Sequence, residues 1–293
     1  MYNDNDMERV LEYTPNTESR IVDYLQNSGY PNNLISYLRR ECLFTYNGIN
    51  VDINTLIKSQ ETFSMRIAEN NDDEKIVPTD IPIEIVFQDE DILVVNKQAN
   101  LPVHPSRNNF DGTLANAVAY KFNSEFPYRC LTRLDKDTTG LVLLAKNRIA
   151  ASILSANRET DIKSEYVALV EGKTDEHGSI CLPIAKNGNE IKRIVSDDGQ
   201  YALTEYELIE YYKSSNISLI RLHLKTGRTH QIRVHMSSIG HPLIGDNLYG
   251  GKTDIVKTPM LHVDKMTIIH PITRNEIIFN AEMTKSFKKC LTF

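Results

Sequence analysis

Apolar positions change their period several times along this chain, and each change predicts an element. Leu141-Val142-Leu143-Leu144-Ala145 is unbroken, the pattern of a strand covered on both faces. A polar turn precedes it, Asp137-Thr138-Thr139-Gly140, with Arg133 and Asp135 at its mouth. Ile85-Val86-Phe87 and Ile92-Leu93-Val94-Val95, parted by Asp89-Glu90-Asp91, predict a β-hairpin. A strand is expected over 166–170, closed by Gly172, and further strands over 201–209, 217–224, 260–269 and 276–279. Thr113 and Asn147 are placed to cap helices that turn Leu114, Ala117, Val118 and Ile149, Ile153, Leu154 inward. A short helix is expected after Thr229, with Ile232, Met236 and Ile239 on one face and Gly240 and Pro242 as its stop. The whole reads as α+β with a mixed, largely antiparallel sheet.

The front of the chain has another texture. Residues 1–18 are polar and are expected to be a flexible N-terminus. Ser19 is placed to cap a helix carrying Ile21, Val22 and Leu25, with Gly29 as its stop, and Pro31-Asn32-Asn33 opens a second helix carrying Leu34, Ile35 and Leu38. Asn47-Gly48 between two short apolar runs is a two-residue hairpin signal. These features predict a small helix–helix–hairpin module over 19–70, a linker over 71–82 that begins in the apolar-free stretch 70–75, and a main domain over 83–293.

Hydrophobic residues make up 41% and charged residues 25% of the 293 positions, an ordinary globular balance. No apolar run approaches the roughly 18 residues that span a bilayer, and the acidic N-terminus lacks the apolar core of a signal peptide. Cys42, Cys130, Cys181 and Cys290 are scattered, which argues against a disulfide framework and structural zinc and fits a reducing cytoplasm. The net charge of −6 is uneven: residues 1–91 hold 7 Lys/Arg against 18 Asp/Glu, and residues 92–293 hold 26 against 21. Within 211–245 there are five Lys/Arg and no acid, either a solvated face or a surface that meets a polyanion.

Motifs narrow the chemistry by exclusion. The run 135–140 has acids at its first and third positions and glycine at its sixth, as a calcium loop does, but its twelfth position is Lys146 where a bidentate glutamate is required. A phosphotransferase of the DxDxT kind needs its buried strand before the acids, and here the strand follows. His230 and His235 are five apart and do not share a helix face, so the histidines predict no metal site. The chain has no GxSxG elbow, P-loop or GxGxxG fingerprint. Asp135 by its residues alone is either an Asx turn that starts a strand or a rigidly held functional carboxylate.

Several ordered blocks resemble the RluA-type pseudouridine synthases. TRLDKDTTGLVLLAKN resembles the family signature HRLDxxTSGL, with Thr132 in the histidine position. IVFQDEDILVVNKQANLPVHP, IKSEYVALVEG, GQYALTEYELIE, TGRTHQIRVHMSSIGHPLIGDNLYG and LHVDKMTIIHP follow the family's order, with Gln98 and Asn100 in place of the usual Pro and Gly. The N-terminal module resembles the αL-type RNA-binding module in a degenerate, acidic form, Asn32-Asn33 replacing its Ser-Arg.

The resemblance implies an isomerase that converts uridine in ribosomal or transfer RNA to pseudouridine after flipping the base, with no metal or redox cofactor. It makes Asp135 the catalytic carboxylate, Arg233 its cation, and Tyr166 the ring that packs on the flipped base and assists proton removal. Arg133 would displace the base, and Arg228, His230, Gln231 and Lys97 would contact substrate. A cytoplasmic monomer on large-subunit ribosomal RNA is the expectation, with a non-catalytic RNA-binding or assembly protein as the rival.

Overall fold

The computed structural model describes residues 7–69, 76–106 and 110–291. The main sheet has ten strands. Its path runs from His177–Cys181 through Leu203–Tyr212, Ile217–Leu224, Ile162–Glu171, Leu261–Ile269, Thr139–Ala145 and Ile92–Lys97 to Glu84–Gln88. Glu276–Asn280 pairs with Leu261–Ile269 off this path, and Arg129–Cys130 with Thr139–Ala145. Every pairing is antiparallel except that of Thr139–Ala145 with Leu261–Ile269. The expected mixed, largely antiparallel α+β architecture is therefore what forms.

The apolar run is where the pattern predicts a strand buried on both faces, and all seven residues of Thr139–Ala145 are buried. Leu141 and Leu143 face one core cluster while Val142 and Leu144 face another, as the period of two demands. The helix Leu114–Lys121 starts at a capping box of Thr113 and Asn116, and Arg148–Ala156 starts at Asn147, whose Oδ1 accepts the Ala150 N–H at 2.8 Å. Each cap satisfies an otherwise orphaned amide. The third expected helix spans Gln231–Ser238, but Thr229 does not cap it. His230 stands at the cap position in the left-handed region, with no side-chain cap bond.

The front of the chain departs most from expectation. Met7–Tyr13, expected to be flexible, is a strand paired along its length with Phe63–Glu69. Leu11 and Tyr13 alternate into the core, a half-buried pattern that only a partner strand makes legible. The helices Ile21–Asn27 and Asn32–Glu41 form, the first without a cap from Ser19, which instead pairs with Ile57. Leu43–Tyr46 and Ile49–Val51 close about Asn47 and Gly48, both at positive φ, the requirement of a type I′ turn.

This module shares its core with the main domain. Ile149 and Ile153, from the helix that follows the central strand, lie in one cluster with Leu25, Leu34, Leu38 and Phe63. Arg9 forks onto the Asp91 carboxylate, with its Nη2 at 2.8 Å from Oδ2. Asn157 Nδ2 donates to the Gly29 carbonyl at 3.0 Å, and Arg148 stacks over the Tyr37 ring at 4.6 Å. The expected linker falls partly at 70–75, outside the described residues. Its remainder is tied down through Asn116 Nδ2, which donates to the Val77 carbonyl at 2.8 Å, and through Ile81, which packs on the core.

Asp89, Asp91 and His270 bring possible metal-ligand atoms within 4.8 Å of one another. They are already matched as a structural knot. Asp91 meets Arg9 and Asn147 Nδ2 at 2.8 Å, and Asp89 Oδ2 meets His270 Nε2 at 2.9 Å. Among the described residues no helix is long and apolar enough to cross a membrane.

Candidate active site

Asp135 lies in the turn that enters the central strand, and three contacts hold that turn. Thr138 N–H donates to the Asp135 carbonyl at 3.2 Å, and Leu101 N–H to the Lys136 carbonyl at 3.1 Å. Thr132 Oγ1 accepts the Leu143 N–H at 2.8 Å. A hydroxyl thus fills the position where the family signature has histidine, and its work there is to pin loop to strand. Gly140 then carries φ of +106°, and a Cβ there would stand 2.3 Å from the Val263 carbonyl oxygen. Only glycine lets the strand approach its parallel neighbour this closely.

The Asp135 side chain is 28% exposed, open to a ligand at the rim of the sheet. Its Oδ2 lies 3.6 Å from Arg233 Nη1 and 3.8 Å from His230 Nε2. Sequence reasoning paired Arg233 with Asp135. The structure gives the guanidinium a closer partner, Asp246, through Nε–Oδ2 at 2.7 Å and Nη2–Oδ1 at 2.8 Å. This fork is the strong bidentate geometry, and it leaves Nη1 turned to Asp135. Burial works against the Arg233 charge, but the Asp246 hydrogen bonds and carboxylate outweigh it and the net shift is upward. Arg233 also stacks on the Tyr249 ring at 5.0 Å.

Asp246 and Tyr249 escaped the sequence reading although both stand in the block 226–250. Nothing in their spacing distinguishes them from a turn. The GDNLYG run that contains both is the signal that could have found them.

Tyr166 sits where pairing with Leu261–Ile269 shifts register between Glu165 and Tyr166. Such an irregularity re-aims a side chain. Burial, and then the negative charge of Asp135, push its phenol up to about 12, so it stays protonated at neutral pH. Arg133 is exposed beside the turn, and Arg228 is exposed with its Nε donating to the Tyr201 carbonyl at 3.0 Å.

Two expected substrate contacts are spent inside the protein. Lys97 is 0% exposed, and its Nζ reaches the carbonyls of Gln98, Leu101 and Lys136 at 2.9–3.0 Å. All three donors of the ammonium are used, so Lys97 braces the loop and offers nothing to a ligand. Burial pulls it down to about 8, opposed by the charges of Asp137 and Asp135. Gln231 accepts from Thr226 Oγ1 and Arg228 N–H at 2.9 Å and donates to Leu203 O and Thr204 Oγ1 at 3.0 Å. It anchors the first turn of the helix and leaves no free amide.

The basic stretch 211–245 is partly neutralised in the fold, where Lys213 and Arg228 stay exposed. Arg221 lies among Glu165, Glu207 and Asp264 at 3.6–3.7 Å, Lys225 is 3.2 Å from Glu205, and Arg233 is held by Asp246. Glu207 is the direct cross-strand neighbour of Arg221. A local count of charge along the chain cannot register acids delivered by adjacent strands.

A mixed sheet here holds an accessible carboxylate against a braced guanidinium at its rim. Residues 91–238 match the RNA pseudouridylate synthase family. A Bacillus subtilis (strain 168) protein named uncharacterized RNA pseudouridine synthase YjbO is 34% identical over 84% of this chain and 88% of its own length. The ribosomal large subunit pseudouridine synthase D of Zymomonas mobilis is 39% identical over 72% of each chain. The solved structure of human RNA pseudouridylate synthase domain containing 1 superposes with a TM-score of 0.59 at 27% identity, covering 70% of this chain and 84% of that one. The chain belongs to the RNA pseudouridylate synthase family, in its RluA-type branch, and is an isomerase of uridine in RNA.

Proposed function

We propose that this synthase modifies structured large-subunit ribosomal RNA and that Asp135 is its catalytic carboxylate. The observation that carries the assignment is the Asp135–Arg233–Asp246 row. A carboxylate open to ligand faces a cation at 3.6 Å whose other edge is locked by a second carboxylate. That arrangement is set before substrate arrives, which is what electrostatic catalysis requires. The reaction breaks the C–N glycosidic bond, turns the base and forms a C–C bond to the same sugar. Positive character developing at the anomeric carbon is met by Asp135, as in glycosidases. Net isomerisation exchanges no electrons with a partner, so no redox cofactor enters.

The uridine must leave its stack to reach this carboxylate. Exposed Arg133, two residues away, is placed to occupy the vacated position. Tyr166 presents its ring to the flipped base, where it packs and assists removal of the C5 proton that leaves as the C–C bond forms. Arg133, Lys136 and Lys186, with Arg228 from the 211–245 stretch, are exposed and are the candidates for phosphate contact. The large-subunit reading draws on relatives named for that RNA, and a cytoplasmic location goes with it.

The test is a map of pseudouridines in RNA from cells lacking the protein. Sites in large-subunit ribosomal RNA should disappear, return with the wild-type chain, and stay absent with Asp135→Asn. A loss confined to transfer RNA would overturn the substrate, and turnover by Asp135→Asn would overturn the residue.

A further inference from the structure

One polar chain beside Asp135 has a direction that its donors fix. The backbone N–H of Arg193 meets Tyr249 Oη at 2.8 Å, and the same oxygen lies 2.9 Å from His230 Nδ1. A backbone amide can only donate, so the phenol accepts there, and among the described residues its own proton has the imidazole Nδ1 as the acceptor at hydrogen-bond distance. Nδ1 is then the acceptor, and neutral His230 carries its hydrogen on Nε2. That nitrogen is the one facing Asp135 Oδ2 at 3.8 Å. The separation is beyond a hydrogen bond; what reaches the carboxylate is an oriented N–H dipole. The opposite tautomer would turn a lone pair toward an anion.

The surroundings leave this chain little freedom. Tyr249 is buried, with its ring edge-on to His230 at 5.7 Å between centroids and beneath Arg233 at 5.0 Å. His230 has φ of +58° at the start of the Gln231–Ser238 helix, an uncommon backbone state for a side chain of this size. Burial lowers its pKa, with Asp135 and Asp246 opposing and Arg233 and Arg193 assisting. The imidazole is therefore neutral near pH 7, the form in which tautomers differ. Arg193 belongs to the hairpin of Ile184–Lys186 and Arg193–Val195. That hairpin and His230 line one cleft of about 380 Å³, with Ile191 on its turn 77% exposed.

We propose that Tyr249 is a positioning residue that fixes His230 as the Nε2–H tautomer, and that it links the seating of the 184–195 hairpin to the Asp135 carboxylate. The role in turnover rests on Asp135 being the reacting group. With the hairpin seated, the Arg193 N–H holds the phenol and the phenol holds the imidazole, already in the free protein. Tyr249→Phe removes that proton and keeps the ring under Arg233. Neither tautomer is then enforced from the Nδ1 side.

The experiment uses the full chain labelled with ¹⁵N-histidine. Long-range ¹H–¹⁵N spectra read the tautomer of each of the eight histidines, and the His230→Gln spectrum identifies the His230 signals. The wild type should show Nε2–H, and Tyr249→Phe a mixture of the two forms. Turnover of Tyr249→Phe should fall about tenfold, the worth of one hydrogen bond, with KM little changed. With His230→Gln as the background no tautomer is left to fix, so the added Tyr249→Phe change should lower turnover little further than His230→Gln does alone. An Nδ1–H wild type, or a tautomer unmoved by Tyr249→Phe, would overturn the proposal. The spectra do not depend on activity, so their failure is separate from a failure of the Asp135 assignment, which the Asp135→Asn assay decides.

Discussion

Lys97 Nζ lies 3.0 Å from the carbonyl oxygen of Lys136, the residue that follows Asp135. A buried ammonium thus fixes the backbone that carries the candidate catalytic carboxylate, across 39 positions of sequence. Its other two donors go to Gln98 and Leu101, on the loop that follows the hairpin strand.

This brace predicts an alkaline limit to activity. Folded Lys97 loses its proton near pH 8, while an unfolded lysine keeps it to 10.5. Below pH 8 both states are protonated. From there to 10.5 the unfolded chain binds more protons, so this group makes the fold more stable as pH rises. Deprotonation nonetheless leaves two donors for three carbonyls and loosens the Asp135 turn. Turnover should fall through pH 8 with no fall in the unfolding midpoint, and Lys97→Met should abolish that limb at a lower plateau. A pH–rate profile beside thermal melts at each pH checks both parts.

Removing Arg233 should damage more than the reaction. Arg233→Leu leaves Asp246 without its cation at 1% exposure, and breaking a buried pair by removing one partner costs about 3–5 kcal/mol. Adding Asp246→Asn should recover much of that stability without restoring turnover, since Asp135 still faces no cation. Denaturant titration and single-turnover assays on the two variants separate these effects. Recovery of both together would show that Arg233 serves only the fold.

The module should not come away cleanly. Ile153 is 0% exposed inside the shared cluster, so Ile153→Ala should lower stability by about 2–5 kcal/mol. Deleting residues 1–75 bares Ile149 and Ile153 and strips Arg9 from Asp91, and the remainder should aggregate. A soluble fragment with a single cooperative transition would contradict a shared core.

Gly140→Ala tests the close approach at the head of the central strand. The positive φ alone costs about 1–3 kcal/mol, and the new methyl meets the Val263 backbone at 2.3 Å. Turnover should be lost along with stability, because the strand and the Asp135 turn move together. Retained activity at a normal melting temperature would place the turn's rigidity elsewhere.

What was legible in the chain is what local physics decides. An unbroken apolar run marked the buried strand, Asn147 and Thr113 marked helix starts, and Asn47-Gly48 marked a hairpin. The blocks around Asp135, Tyr166 and Arg233 carried the family. Tertiary structure alone decided which charges meet. It turned Arg233 first to Asp246, spent Lys97 and Gln231 on carbonyls and neighbouring side chains, and set Glu207 opposite Arg221. It also made a strand of Met7–Tyr13, whose partners lie 50 to 62 positions onward. Periodicity and capping act between neighbours in sequence and so can be read there. Ion pairs, strand partners and a tautomer set through Arg193 and Tyr249 depend on groups that only folding brings within a few ångströms.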